Sequence, residues 1–242
     1  MTDVILNFDR SAAGYEANSA PQAALAAALA TWINPADRQG LAIEFGAGTG
    51  LFTRHMHPWL GTYTATDAAP GMVKRGQMLA PAAKWEIADA REVQRLGPAD
   101  WIFACNLLQW LDEPEKVLRG WRKIMPAKGQ FAAAVLLPGT FPELERVLPG
   151  VAPLPWHDRE EWSKFLADAG FEITRAEIWE HREIFPNARA FLRSLHAMGL
   201  APRRMVGAGR LRAALRHYDK EFAVGGRVRA TWQAWLVRAR AG

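Results

Sequence analysis

The feature that most narrows the folds open to this chain is the run Glu44-Phe45-Gly46-Ala47-Gly48-Thr49-Gly50, which closes the short apolar stretch 41–45. Three glycines in the spacing G-x-G-x-G after a strand make a turn whose backbone a ligand can approach closely, with φ values that can be positive at little cost. Turns of this kind sit at the carboxyl ends of strands, where open parallel α/β sheets bind their ligands. A dinucleotide pyrophosphate calls for G-x-G-x-x-G, with its third glycine at position 51, and Leu51 stands there instead. Glu44, next to the turn, would repel a pyrophosphate and suits a cation.

The surrounding chain repeats one pattern. Residues 62–66, 84–88, 101–105 and 130–137 read as further strands, while 49–57, 70–79 and 113–124 read as helices, the last with Pro114 in its first turn. Upstream, residues 20–33 form a helix with Leu25, Leu29, Trp32 and Ile33 on one face, ended by Asn34-Pro35. Alternation at this spacing implies βαβ units and a mainly parallel sheet. Beyond 137 the pattern changes. Residues 141–147, 158–169, 188–198 and 211–222 read as helices, 171–185 as one long strand or a hairpin arm, and 231–238 as a last strand. Two helices between the last two strands predict a lid over about 186–225, above a ligand crevice.

Two more acids follow the next two strands. Asp67 lies 23 residues beyond Glu44, where a carboxylate accepts both hydroxyls of a ribose. Asp89 follows the third strand, placed to accept an adenine amino hydrogen. Met72, at the next helix start, can cover one adenine face, and Asn106 ends the fourth strand. Ala47, in the turn, and Ala68 and Ala90, next to the two acids, complete the expected contacts with Gly46, Gly48 and Gly50. A nucleoside bearing a cationic centre fits this set: S-adenosylmethionine (SAM), with its sulfonium and ammonium groups.

Composition bounds the rest. The chain has 242 residues, 50% hydrophobic and 23% charged, as soluble globular proteins have. No uncharged apolar stretch reaches the roughly 18 residues of a membrane span. Residues 1–4 start no export signal. Cys105 is the sole cysteine, which excludes an internal disulfide and a cysteine-based metal site and fits a reducing cytoplasm. His55 and His57 read as surface or capping groups, and no metal is expected. The net charge of +5 is uneven: from residue 182 onward there are 13 lysines and arginines against 3 acids, a balance of +10. Such a region can face an acidic partner.

Residues 40–137 resemble the class I SAM-dependent methyltransferases. The run from Glu44 to Gly50 is similar to their first motif, and Thr66-Asp67 and Ala88-Asp89 to their next acidic positions. Met125-Pro126-Ala127-Lys128-Gly129 resembles the turn before their fifth strand, with Lys128 where glycine is more usual. The resemblance implies a Rossmann-like α/β fold: a mainly parallel, seven-stranded sheet with an antiparallel last strand, one domain over 1–242, an N-terminal helical segment 1–35 and a helical lid.

A narrower resemblance covers nearly the whole chain, to the malonyl-acyl-carrier-protein O-methyltransferases of biotin synthesis. Phe8-Asp9-Arg10-Ser11-Ala12-Ala13-Gly14-Tyr15 is similar to that family's N-terminal signature. Asn106-Leu107-Leu108-Gln109-Trp110, Pro138-Gly139-Thr140-Phe141-Pro142-Glu143-Leu144 and Ala190-Phe191-Leu192-Arg193-Ser194-Leu195-His196-Ala197-Met198-Gly199 resemble three later segments. What this implies is methylation of the free carboxylate of a malonyl thioester, on an acidic acyl carrier protein or on coenzyme A, by a cytoplasmic monomer with no nucleic-acid or membrane partner. Tyr15 is then an element of the pocket reaching the methionine end, and Gln109 and Trp110 border the acceptor. In the lid, Arg193, Arg203, Arg204, Arg210 and Arg212 are candidates to dock the carrier.

Such a transfer predicts no catalytic acid or base, because a carboxylate with a reference pKa of about 4 is already ionised. Two other readings stand beside it. One is a small-molecule carboxyl methyltransferase of the trans-aconitate type, which shares the Gln109-Trp110 segment. The other is a catalytically silent SAM-binding or RNA-associated module, although no aromatic-interleaved RNA-binding motif occurs.

Overall fold

Strands β1 (Gln39–Phe45), β2 (Leu60–Asp67), β3 (Lys84–Ile87), β4 (Trp101–Cys105) and β5 (Gln130–Leu136) run parallel in the order β3-β2-β1-β4-β5. The computed structural model that carries them describes residues 2–12, 14–56, 60–151, 156–198, 200 and 206–242. Strand order reverses between β1 and β4, so the crevice at their carboxyl ends receives the glycine turn. β4 and β5 are buried along almost their whole length, as expected of strands covered on both faces.

The sheet continues with β6 (Phe171–Phe185), β7 (Ala223–Val224) and β8 (Arg227–Ala241). β8 lies antiparallel between β5 and β6, as the sequence predicts for the last strand. Among the described residues there are eight strands rather than seven. The extra one is β7, which turns back on β8 through Gly225 and Gly226 at φ +57° and +76°. Both angles lie in the left-handed region that a tight hairpin requires, so β8 starts at Arg227 rather than 231.

The helices are α1 (Thr2–Ser11), α2 (Ala20–Ala30), α3 (Pro70–Leu79), α4 (Pro114–Lys123), α5 (Pro142–Val147), α6 (Arg159–Asp168), α7 (Ala188–Ala197) and α8 (Ala208–Glu221). The helix expected over 49–57 is absent from the described part of that span, which holds only a 3₁₀ turn, Thr53–His55. Gly50, at φ +89°, is still in the left-handed turn, which denies the first residues of that span a helical backbone. His55 is exposed in this turn, whereas His57 lies outside the described residues.

Side chains alternate across the sheet. Ala132, Ala134 and Leu136 face a core shared with Leu25 and Leu29 of α2, Phe191 of α7 and Tyr218 of α8. Phe131, Ala133 and Val135 face a second core with Trp121 of α4 and Trp162 of α6. Trp121 stacks on Phe45 at 4.6 Å and donates from its indole to the Ala90 carbonyl at 2.8 Å. That bond fixes the loop after β3 that carries Asp89. Lys128 sits at φ +67°, which explains why glycine suits its place in the turn before β5.

The pair α7 and α8 is a packed unit. Asn187 caps α7 by accepting from the Ala190 N–H at 2.9 Å. Asp219 of α8 accepts from the Ala188 N–H at 2.6 Å, and the Tyr218 hydroxyl donates to the Arg229 carbonyl at 2.8 Å. Among the described residues, no helix is long and apolar enough to cross a membrane.

Candidate cofactor site

The pocket at the reversal of strand order draws on several segments of the chain. Gly46, Ala47 and Gly48 come from the turn after β1, Asp67 and Ala68 from the end of β2, and Met72 from α3. Asp89 and Ala90 follow β3, Asn106 and Trp110 follow β4, and Tyr15 stands in the N-terminal segment. Glu44 joins the wall from β1. Nearly every cofactor residue predicted from the sequence thus meets in one crevice. Gly50 is the exception: a Cβ there would face the Trp85 ring at 3.2 Å and Ala80 at 3.4 Å, so its work is close packing beside α3.

The two remaining glycines of the turn serve the pocket differently. At Gly46, φ is +65° and a Cβ would lie 2.7 Å from Leu107. At Gly48, φ is +56° and no atom lies within 4 Å of a Cβ position, so a side chain would intrude on the crevice. The Gly48 N–H donates to Asp67 Oδ2 at 2.9 Å and the Ala69 N–H to Asp67 Oδ1 at 2.8 Å. Backbone groups therefore aim this carboxylate before any ligand arrives. Burial nonetheless raises its pKa above the usual value, with the hydrogen bonds from Ala69, Gly48 and Ala68 opposing. Asp89 is held in the opposite direction: hydrogen bonds from the Arg91 side chain keep its pKa low despite partial burial.

Glu44 is 1% exposed and accepts at Oε2 from the Thr53 hydroxyl and the Tyr63 hydroxyl, each at 2.7 Å. Burial pushes its pKa up to about 7, the two hydrogen bonds oppose that, and the nearby Asp67 charge adds to it. A buried carboxylate so poised is stabilised by a cation above it.

Asn106 adopts φ +61°, a left-handed conformation that asparagine tolerates better than most residues. Gln109 does not line the pocket as expected from the sequence. It donates from Nε2 to Asn106 Oδ1 at 2.7 Å and to the Asn106 carbonyl at 3.1 Å, and so holds Asn106 in place.

The cover over the crevice comes from the N-terminal segment. Ile5 and Phe8, three residues apart on α1, face inward with Ala12 just past the helix, and Ile5 and Phe8 line the pocket. Phe8 meets Trp110 edge-on at 5.3 Å and Tyr15 at 6.1 Å. Asp9 Oδ1 accepts from the Gly71 N–H at 2.6 Å, and Glu16 pairs with Arg54 and Arg75, so the cover is clasped to α3 and to the turn after β1. No described residue of α7 or α8 lines this pocket.

Sequence reasoning passed over Phe8, Gln22, Thr49, Leu51, Phe52 and Cys105, all of which line the crevice. The amphipathic spacing of α1 signalled Phe8; nothing local singled out Gln22. Bare glycine backbone, paired acids at the ends of β2 and β3, and buried polar atoms of Gln22 and Thr49 without a protein partner fit SAM, a nucleoside joined to an amino acid.

Residues 43–133 match the family of methyltransferase domains. Over 98% of its length the chain is 26% identical to the malonyl-[acyl-carrier protein] O-methyltransferase of Paenibacillus sp., of which it covers 97%. It is 27% identical to the enzyme of the same name from Geobacter sulfurreducens, with 93% of each chain covered. Its fold is similar to the SAM-dependent methyltransferase of Mesorhizobium loti, with TM-score 0.56, 14% identity and 88% and 95% of the two chains covered. It is also similar to magnesium protoporphyrin IX methyltransferase of Synechocystis with bound SAH, with TM-score 0.54, 14% identity and 89% and 82% covered. Residues 43–133 thus carry a methyltransferase domain, the fold is that of the class I methyltransferases, and the methyl donor is S-adenosylmethionine.

Proposed function

We propose that this methyltransferase esterifies the free carboxylate of a malonyl thioester, carried on acyl carrier protein or on coenzyme A, as a step of biotin synthesis. The observation that supports this most is similarity along the whole chain, through α7 and α8, to relatives named for that reaction. Arg193, Arg210 and Arg212 are exposed on that pair and make no ion pair with another described residue, which suits an acidic carrier. Arg203 and Arg204, assigned the same task from the sequence, lie outside the described residues.

In this reading Asp67 takes the ribose hydroxyls, Asp89 the adenine amino group, and Met72 one face of the base. Ala47, Ala68 and Ala90 pack beside them, Gly46 and Gly48 keep the backbone bare, and Glu44 sits beneath the positive charge. When bound, SAM supplies an electrophilic methyl group. Phe8, Tyr15 and Trp110 wall that region with rings and exclude water. Burial raises the Tyr15 pKa, so its phenol keeps the proton and donates to a carboxylate. Burial likewise keeps the Cys105 thiol protonated. The acceptor carboxylate needs no proton removed, and the residues act by positioning it. Gln109 acts through Asn106.

The test is a panel of acceptors incubated with methyl-labelled SAM: malonyl-carrier protein, malonyl-coenzyme A, malonate and aconitate. Label should enter the thioesters as a methyl ester. Label entering only the free acids overturns the proposal and leaves a small-molecule carboxyl methyltransferase.

A further inference from the structure

Two polar side-chain atoms of residues lining this pocket are buried with no hydrogen-bond partner in the protein: Oε1 of Gln22 on α2 and Oγ1 of Thr49 in the glycine turn. Gln22 is 5% exposed and Thr49 is fully enclosed. Native folds seldom leave such atoms unbonded, and two in one crevice point to a ligand that bonds them. Gln22 is anchored from its other end, where Nε2 donates to Sδ of Met198, just past α7, at 2.9 Å. That contact leaves the carbonyl as the end of the side chain with no bond inside the protein.

Position narrows what they bind. Asp67 and Asp89 stand at the ends of β2 and β3, so the nucleoside lies on that side. Thr49 follows β1, and α2 packs against β4 and β5, which puts Gln22 on the far side. We infer that Gln22 and Thr49 hold the α-amino-acid end of SAM, the Gln22 carbonyl accepting from the ammonium and the Thr49 hydroxyl donating to the carboxylate. The inference rests on the assignment of Asp67 and Asp89 to the nucleoside.

Calorimetric titration with SAM, S-adenosylhomocysteine and 5′-methylthioadenosine separates the parts, because the last lacks the amino-acid end. Thr49→Val and Gln22→Met keep the side-chain volume. Each should weaken both full-length ligands by about tenfold or more, the loss of one hydrogen bond to a charged group, and leave 5′-methylthioadenosine unchanged. Thr49→Ser should restore SAM binding. Unchanged SAM affinity in both variants overturns the inference, and so does an equal loss for 5′-methylthioadenosine, which would mean a structural role. Asp67→Ala should weaken all three ligands. If it spares 5′-methylthioadenosine, the nucleoside assignment has failed instead.

Discussion

The N-terminal cover and the C-terminal helical pair are both helical additions to the same sheet, and they are held in different ways. α1 and the turn after it rest on the pocket through Ile5, Phe8 and Tyr15 and are tied down by polar links, Asp9 to the Gly71 N–H and Glu16 to Arg54 and Arg75. α7 and α8 add a buried aromatic cluster to their polar links: Phe191 meets Phe141 at 5.3 Å, Phe185 at 5.2 Å and Tyr218 at 5.6 Å. The first addition covers the pocket proposed for the methyl donor. The second keeps a rigid core inside and a row of arginines outside, touching the pocket lining through Met198 and Gln22. In the proposed function, donor and acceptor are served by separate pieces, one undone by cutting single polar contacts, the other by changing surface charge.

The largest effect should come from the floor beneath the cover. Asp67→Ala is expected to weaken SAM about a hundredfold by calorimetry, through two lost hydrogen bonds to a charged group, with α7 and α8 keeping their helix content. On the other side, reversing Arg193, Arg210 and Arg212 to Glu should raise KM for malonyl-carrier protein about thirtyfold and leave SAM affinity unchanged. If SAM affinity fell as well, the two pieces would not be separate. Asp9→Ala should have the reverse profile, with SAM about tenfold weaker and KM for the carrier unaltered. The smallest effect concerns pH. The Glu44 pKa is raised to about 7, so the empty protein takes up a proton there as pH falls, and a bound cation displaces it. SAM affinity should therefore drop about fivefold from pH 7 to pH 6, with proton release visible in buffers of different ionisation heat. Glu44→Gln should flatten that dependence. The same raised pKa makes Glu44 cost stability as pH rises from about 4.5 to 7, since the unfolded carboxyl ionises first.

The sheet and the pocket floor were legible because their signals are local. Apolar strands alternate with helices, and Glu44, Asp67 and Asp89 each sit at a strand end that can be counted along the chain. Where the reading failed, a distant or overriding contact decides. The left-handed Gly50 displaced the helix expected over 49–57, and Gln109 turned to Asn106 rather than to the pocket. Asp9 stands in the N-terminal signature, but its acceptor role depends on Gly71, 62 residues away. Gln22 is one polar residue in an alanine-rich helix until that helix packs against β4 and β5 and Met198 takes up its amide.

The place of β8 also bears on the order in which the chain can assemble during synthesis. β6 pairs with no described strand except β8, and β8 is inserted between it and β5. The five parallel strands can come together once residue 136 has emerged, but β6 must wait until residues 227–241 arrive. The parallel half is a platform that can form early, while the edge bearing α7 and α8 closes last. A chain cut before Arg227 would lose not one strand but the whole far side of the sheet, and with it the proposed surface for the carrier.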